Sequence, residues 1–138
     1  MQLTSVTALI LTVTALISSA CATTVSYDET YDNPNGDIDA GACFERNGLH
    51  PLKTYGSLPI FPNIGGAAAI AGYNSPNCFT CWELTYQGES INILAIDHAE
   101  DGFNISLEAL NTLTHGQGVT LGRVNATATQ VDEAQCGL

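Results

Sequence analysis

The chain has 138 residues, and its fourteen acidic side chains outnumber three lysines and arginines, giving a formal charge of -11 at pH 7. Charge of that sign is repelled by phosphate backbones and anionic lipid, which excludes nucleic acid and membrane surfaces as partners and leaves a neutral or cationic ligand. The length suits a single domain with its own core.

The N-terminal stretch MQLTSVTALILTVTALISSACATT carries no charged side chain, and from Val6 to Ile17 it is almost wholly apolar or threonine. It ends in Ser-Ser-Ala-Cys-Ala, with Ala20 and Ala22 in the A-x-A arrangement of a secretory cleavage site. Residues 1–22 are therefore expected to be a signal peptide and residues 23–138 the exported domain, secreted to the extracellular space or cell wall. The apolar run is shorter than the ~20 residues a membrane helix needs, and no membrane span is expected in the exported part.

Next, Val25-Ser26-Tyr27-Asp28 reads as a short strand, followed by DETYDNPNGDIDAG, where Asn-Pro and Asn-Gly mark tight turns. Residues 44–77, with LPIFPNIGGAAAIAGYNSPN, are rich in Gly, Pro and Asn and predict ordered loop with one short helix. CWELTY alternates, Gln-Gly-Glu turns the chain, and SINILAID follows as a strand buried on most sides, so the two form a hairpin. In NISLEALNTLT, Leu107, Leu110 and Leu113 fall at helical spacing, with Ser106 as N-cap, Glu108 in the first turn and His115-Gly116 at the end. VTLGRVNATATQV predicts two further strands before Cys136. About six strands and one clear helix make a mainly β barrel or sandwich.

Cleavage after Ala22 removes Cys21 and leaves Cys43, Cys78, Cys81 and Cys136. An even set in an oxidising compartment reads as two disulfides, for which three pairings are open. A redox role for Cys78 and Cys81 lacks the βαβ context it needs. Zinc would draw on Cys43, Cys136, His50, His98 or His115 at spacings that match no finger or ribbon, so neither metal nor cofactor is expected.

The segments VSYDETYDN, LPIFPNIGG, NSPNCFTCWELTY and INILAIDHAEDGFNISLEALNTL, in this order and spacing, resemble the cerato-platanin family of small secreted fungal proteins across the whole exported part. The resemblance implies a six-stranded double-psi β-barrel with short helices, similar to the first domain of expansins. It also implies disulfides between consecutive cysteines, Cys43 with Cys78 and Cys81 with Cys136. Surface activity, self-assembly of a monomer at interfaces and the ability to provoke plant defence, hence a plant receptor, come with the resemblance too.

Asp97 and His98 directly follow the apolar strand INILAI, where a strand end opens into the polar loop AEDGFN. Asp97 either caps backbone amides of its own loop or binds a ligand, and the family places an Asp at this strand end facing an oligosaccharide groove. His98 reads first as a solvent-facing turn residue and second as a groove residue. Asp28 is the second candidate carboxylate, and Tyr27 and Asn104 complete the candidate carbohydrate-binding set. Stacking faces for sugar rings are sought among Tyr27, Tyr31, Tyr55, Tyr73 and Trp82, with Trp82 favoured for the core.

The expected function is non-catalytic binding of chitin or other neutral N-acetylglucosamine oligosaccharides, with expansin-like loosening of wall polysaccharide. The alternatives are a weak glycoside hydrolase using Asp28 and Asp97, since such hydrolysis takes two carboxyl groups, and a surface-active coat protein. Asn104-Ile105-Ser106 and Asn125-Ala126-Thr127 both fit the N-glycosylation pattern, the first in conflict with a groove role for Asn104.

Overall fold

The computed structural model describes residues 12–14, 19–44 and 52–138. Most of the expected signal peptide lies outside the described residues, as do Arg46 and His50. Six strands, β1 (Cys21–Tyr27), β2 (Ile64–Ala67), β3 (Cys81–Tyr86), β4 (Glu89–His98), β5 (Phe103–Ile105) and β6 (Arg123–Val131), close into a barrel in the order β1-β5-β2-β4-β3-β6. The pairs β1–β5 and β2–β4 are parallel and the remaining four antiparallel, which gives the double-psi barrel its crossed connectivity. Cys21 and Ala22, assigned to the leader by the sequence reading, open β1 opposite Ala128 and Thr127 of β6.

Alternation sets the two faces. In β6 Val124, Ala126 and Ala128 are buried, while Arg123, Asn125 and Thr127 are exposed. The hairpin β3–β4 forms as its pattern predicts, and Leu84, Ile91, Ile93 and Ala95 fill the barrel. Each fully buried aliphatic side chain contributes about 1.5–3 kcal/mol. Leu94 and Ile96, on the other face of β4, are also buried, so this strand is covered on both sides.

The expected helix is α1 (Leu107–Leu113), with Leu110 and Leu113 in the core. Ser106 caps it: the Oγ accepts the Ala109 N–H at 3.0 Å and donates to the Pro62 carbonyl at 2.6 Å. Asp32, 75 residues away, accepts the Leu107 N–H at 2.8 Å and also the Glu108 N–H at 2.9 Å.

Two sequence expectations are corrected. The tail holds one strand, β6, because Gly118–Leu121 turns into a short helix, α2, whose Gly118 N–H is held by Asn111 Oδ1 at 2.9 Å and whose end is set by Gly122 at φ +68°. Within residues 44–77, besides the short 3-10 turn Tyr55–Ser57, lies β2, a strand missed because IGGA has poor strand propensity. Its glycines answer to space: a Cβ on Gly65 would strike the Asn104 carbonyl, and one on Gly66 would lie 2.7 Å from the His98 carbonyl.

Gly102, at the turn into β5, has φ +54°, and a Cβ there would run into the Thr24 carbonyl of β1. Gly102→Ala is expected to destabilise the fold by about 2–5 kcal/mol, combining left-handed strain with an overpacking clash. Urea denaturation measures it, and an unchanged midpoint would contradict the packing described.

Candidate functional site

The end of β4 organises the region of interest. Alternation turns Asp97 and His98 to opposite sides of the strand. The Asp97 carboxylate accepts three hydrogen bonds: Oδ1 from the Ala42 N–H at 2.7 Å and the His98 N–H at 2.8 Å, Oδ2 from the Tyr31 hydroxyl at 3.1 Å. Its approach to the 41–42 backbone is close enough that a Cβ on Gly41 would lie 2.9 Å from Asp97 Cγ. The carboxylate thus ties its own strand end to the loop before Cys43 and to the 3-10 turn Glu29–Asp32 that carries Tyr31.

Asp28 caps that same turn, its exposed carboxylate accepting the Thr30 N–H at 2.8 Å. Burial raises the pKa of Tyr31, and Asp97 adds to the effect by charge and by hydrogen bond, with Tyr55 and Asp28 contributing further. Tyr55, whose ring lies 6.0 Å from that of Tyr31, is raised likewise by burial, then by Asp97, Asp37 and Asp28. Both phenols stay protonated at neutral pH. Asp97, through its hydrogen bond to Tyr31, and Asp28, through the turn it caps, therefore flank two neutral tyrosines.

On the other side, the exposed His98 donates from Nδ1 to the Ile70 carbonyl at 2.6 Å, since a carbonyl only accepts. That fixes the ring and makes Nε2 the acceptor nitrogen of the neutral imidazole. His98 lines an open cleft of ≈ 400 Å³ with Ser26, Glu100, Asp101, Asn104 and Arg123. Ser26 and Asn104, register partners on β1 and β5, point out of the barrel together, and the Ser26 hydroxyl donates to Asn104 Oδ1 at 3.1 Å. The Asn104 amide hydrogens remain for a ligand. Arg123 is steadied by Nη1 donating to Thr24 Oγ1 at 3.3 Å.

Of the five candidate residues, His98 and Asn104 share this cleft, Asp97 and Asp28 share the tyrosine side, and Tyr27 is half-buried against the core. His98 is the last residue of β4 with a tied ring, where the sequence reading placed it first in a turn. Ser26 and Arg123 were not singled out as site residues; nothing local marks them, because their neighbours come from 77 to 99 residues away. Trp82 packs edge-on to Phe103 with centroids 5.5 Å apart, and its Nε1–H donates to Thr80 Oγ1 at 2.9 Å. Of the sequon asparagines, Asn125 is exposed on the outer face of β6 and Asn104 is half-buried.

Two disulfides frame the region, Cys43–Cys78 and Cys81–Cys136, so the residues CFTC anchor two separate bridges. Among the described residues no group of three or more His, Cys, Asp or Glu gathers to hold a metal ion, and no helix is long and apolar enough to cross a membrane.

The sequence profile of the cerato-platanin family matches residues 23–138. Allergen Asp f 15 of Aspergillus fumigatus is 44% identical over 121 residues, spanning 85% of this chain and 78% of that protein. Among solved structures, cerato-platanin 2 from M. perniciosa superposes with a TM-score of 0.80 at 42% identity, covering 86% of this chain and 100% of that one. The solution structure described as the fungal elicitor Cerato-Platanin gives 0.72 at 38% identity, over 82% and 95% of the two chains.

Proposed function

The chain belongs to the cerato-platanin family, and from that premise we propose that it is a secreted, non-catalytic protein that binds neutral cell-wall oligosaccharides of the chitin type. The observation that carries this reading is the cleft between β1, β5 and the end of β4. There the Ser26 hydroxyl, the Asn104 amide, the His98 ring and the Arg123 guanidinium converge, alternating donors and acceptors as sugar hydroxyls and acetamido groups require. His98 and Asn104 contact the sugar in this proposal. Asp97 positions His98 and the 41–44 loop, and Asp28 holds the turn bearing Tyr31. A glycan is then compatible with Asn125 and incompatible with an occupied cleft at Asn104.

Hydrolysis has less support. A glycosidase needs one carboxyl group kept protonated as acid and a second as base or nucleophile across the scissile bond. Asp97 is occupied by three donors and Asp28 by the Thr30 amide. Loosening of polysaccharide by competition for hydrogen bonds requires no such pair. Elicitor activity, by analogy with the relative described as a fungal elicitor, belongs to the same proposal.

Titrating the protein with chitohexaose and cellohexaose in parallel tests the reading. Chitohexaose is expected to bind, Asn104→Ala to weaken it about tenfold through lost amide hydrogen bonds, and reducing-end assays on both sugars to stay at the blank level. Sustained product release that vanishes in Asp28→Asn or Asp97→Asn would replace binding by catalysis as the conclusion.

A further inference from the structure

An aromatic pair on the loops beside the β4 end is used neither by the core nor by the cleft. Phe44 and Tyr73 stack face to face, with ring centroids 4.8 Å apart and planes 2° from parallel. Phe44 is half-buried, whereas Tyr73 is 72% exposed, the most exposed large apolar side chain among the described residues from β1 onward. A tyrosine that merely covered Phe44 would hide more of itself.

The pair is held from several directions. Asp97 grips the Ala42 N–H, two residues before Phe44, and His98 grips the Ile70 carbonyl, three residues before Tyr73. The two loops are joined to each other by the Asn74 N–H donating to the Ala42 carbonyl at 2.8 Å and by the Cys43–Cys78 bridge. The consecutive residues Asp97 and His98 thus each secure one ring of the stack. Three residues of chain reach at most about 11 Å, so Tyr73 lies within that span of the carbonyl that orients the cleft histidine.

A flat, rigid, solvent-facing phenol ring of this kind suits the apolar C–H face of a pyranose. Burying both faces removes apolar surface from water, and a ring already fixed by its neighbour has little motion left to lose on binding. The chain's charge of -11 disfavours anionic aromatic ligands at the same face and leaves a neutral sugar unaffected.

We infer that the outer face of Tyr73, backed by Phe44, is a stacking subsite for one pyranose ring of a β-linked oligosaccharide whose other units occupy the His98–Asn104 cleft. The inference rests on the oligosaccharide-binding reading and adds to it a length requirement: only a chain long enough to reach both places gains from the platform.

Calorimetric titration of the wild type, Tyr73→Ala, Tyr73→Trp and Phe44→Leu with chitobiose and chitohexaose decides it. Tyr73→Ala is expected to lose roughly tenfold in chitohexaose affinity, with its melting temperature and chitobiose affinity unchanged; Tyr73→Trp should keep or improve chitohexaose binding, and Phe44→Leu should fall between. Chitohexaose affinity unchanged in Tyr73→Ala would remove the subsite while leaving the cleft proposal intact. Equal losses for both sugars would show a general effect on the cleft and likewise overturn it. No binding of either sugar by the wild type would sink both readings together.

Discussion

Asp97→Ala is expected to lower the unfolding free energy by about 4 kcal/mol. Hydrogen bonds to a charged group are worth about 1.5–3 kcal/mol each, and Asp97 accepts three, discounted here because the carboxylate is only half-buried. The loss has a direction in space: the Ala42 amide, the β4 end and the Tyr31 turn lose their common partner, so loop 41–44 and the turn should loosen before the barrel. Asp97→Asn keeps the shape and one carbonyl acceptor, and the Tyr31 hydroxyl can reverse to accept from the amide, so its cost should be about half. Urea unfolding of the three proteins gives the order. If Asp97→Ala unfolds at the wild-type midpoint, the carboxylate is not the tie described.

The same cluster sets an alkaline limit. Tyr31 and Tyr55 have pKa values raised above the unfolded value of about 10, by burial first and by Asp97 next. A raised pKa means the folded state holds its proton more tightly. The stabilisation is therefore complete below pH about 10 and is lost as pH climbs above it, by up to about 1.4 kcal/mol per pH unit for each tyrosine. With Asp97→Asn removing one negative neighbour, the alkaline fall should be shallower than in the wild type.

Removing the second bridge, by Cys81→Ala with Cys136→Ala, is expected to cost about 4 kcal/mol, of similar size to the Asp97 effect but acting through the unfolded chain. The cysteines are 55 residues apart, and closing a loop of that length removes about 14 cal/mol/K of chain entropy in the loop-closure account. Cys136 sits at 1% exposure in the 3-10 turn Glu133–Cys136, so the variant also frees a C-terminal segment otherwise held over β3 and β4. Thermal and urea unfolding of the double variant beside the wild type measures the loss. A shift below about 1 kcal/mol would mean that strand pairing alone holds the C-terminus.

Much of the scaffold was legible because its signals are local. Alternation in CWELTY and SINILAID marked the hairpin, and Leu107, Leu110 and Leu113 behind Ser106 marked α1. The disulfide pairing was legible through the family resemblance, since spacing alone left three pairings open. What stayed hidden depends on distant partners. The glycines of β2 look like loop until the neighbouring backbones are in place, and Val119-Thr120-Leu121 looks like strand until Asn111 takes the Gly118 amide. At the site, the residue types at Asp97 and His98 were readable and their assignments were not, because Ala42, Tyr31 and Ile70 lie 55, 66 and 28 residues away.

The barrel closes where β1 lies against β6, pairing Cys21–Ser26 with Arg123–Ala128, and this seam has a consequence for biosynthesis. The earliest strand waits for the last one: at about 5–20 residues per second, the ~100 residues between them take roughly 5–20 s to emerge. Until then β1 lacks one of its two partners and the nascent chain carries an unpaired strand edge, the kind of surface that recruits chaperones or other unfinished chains. Closure of the barrel thus waits for synthesis of β6, and a ribosome-stalled chain ending before Arg123 should show none of the protease resistance of one that includes β6.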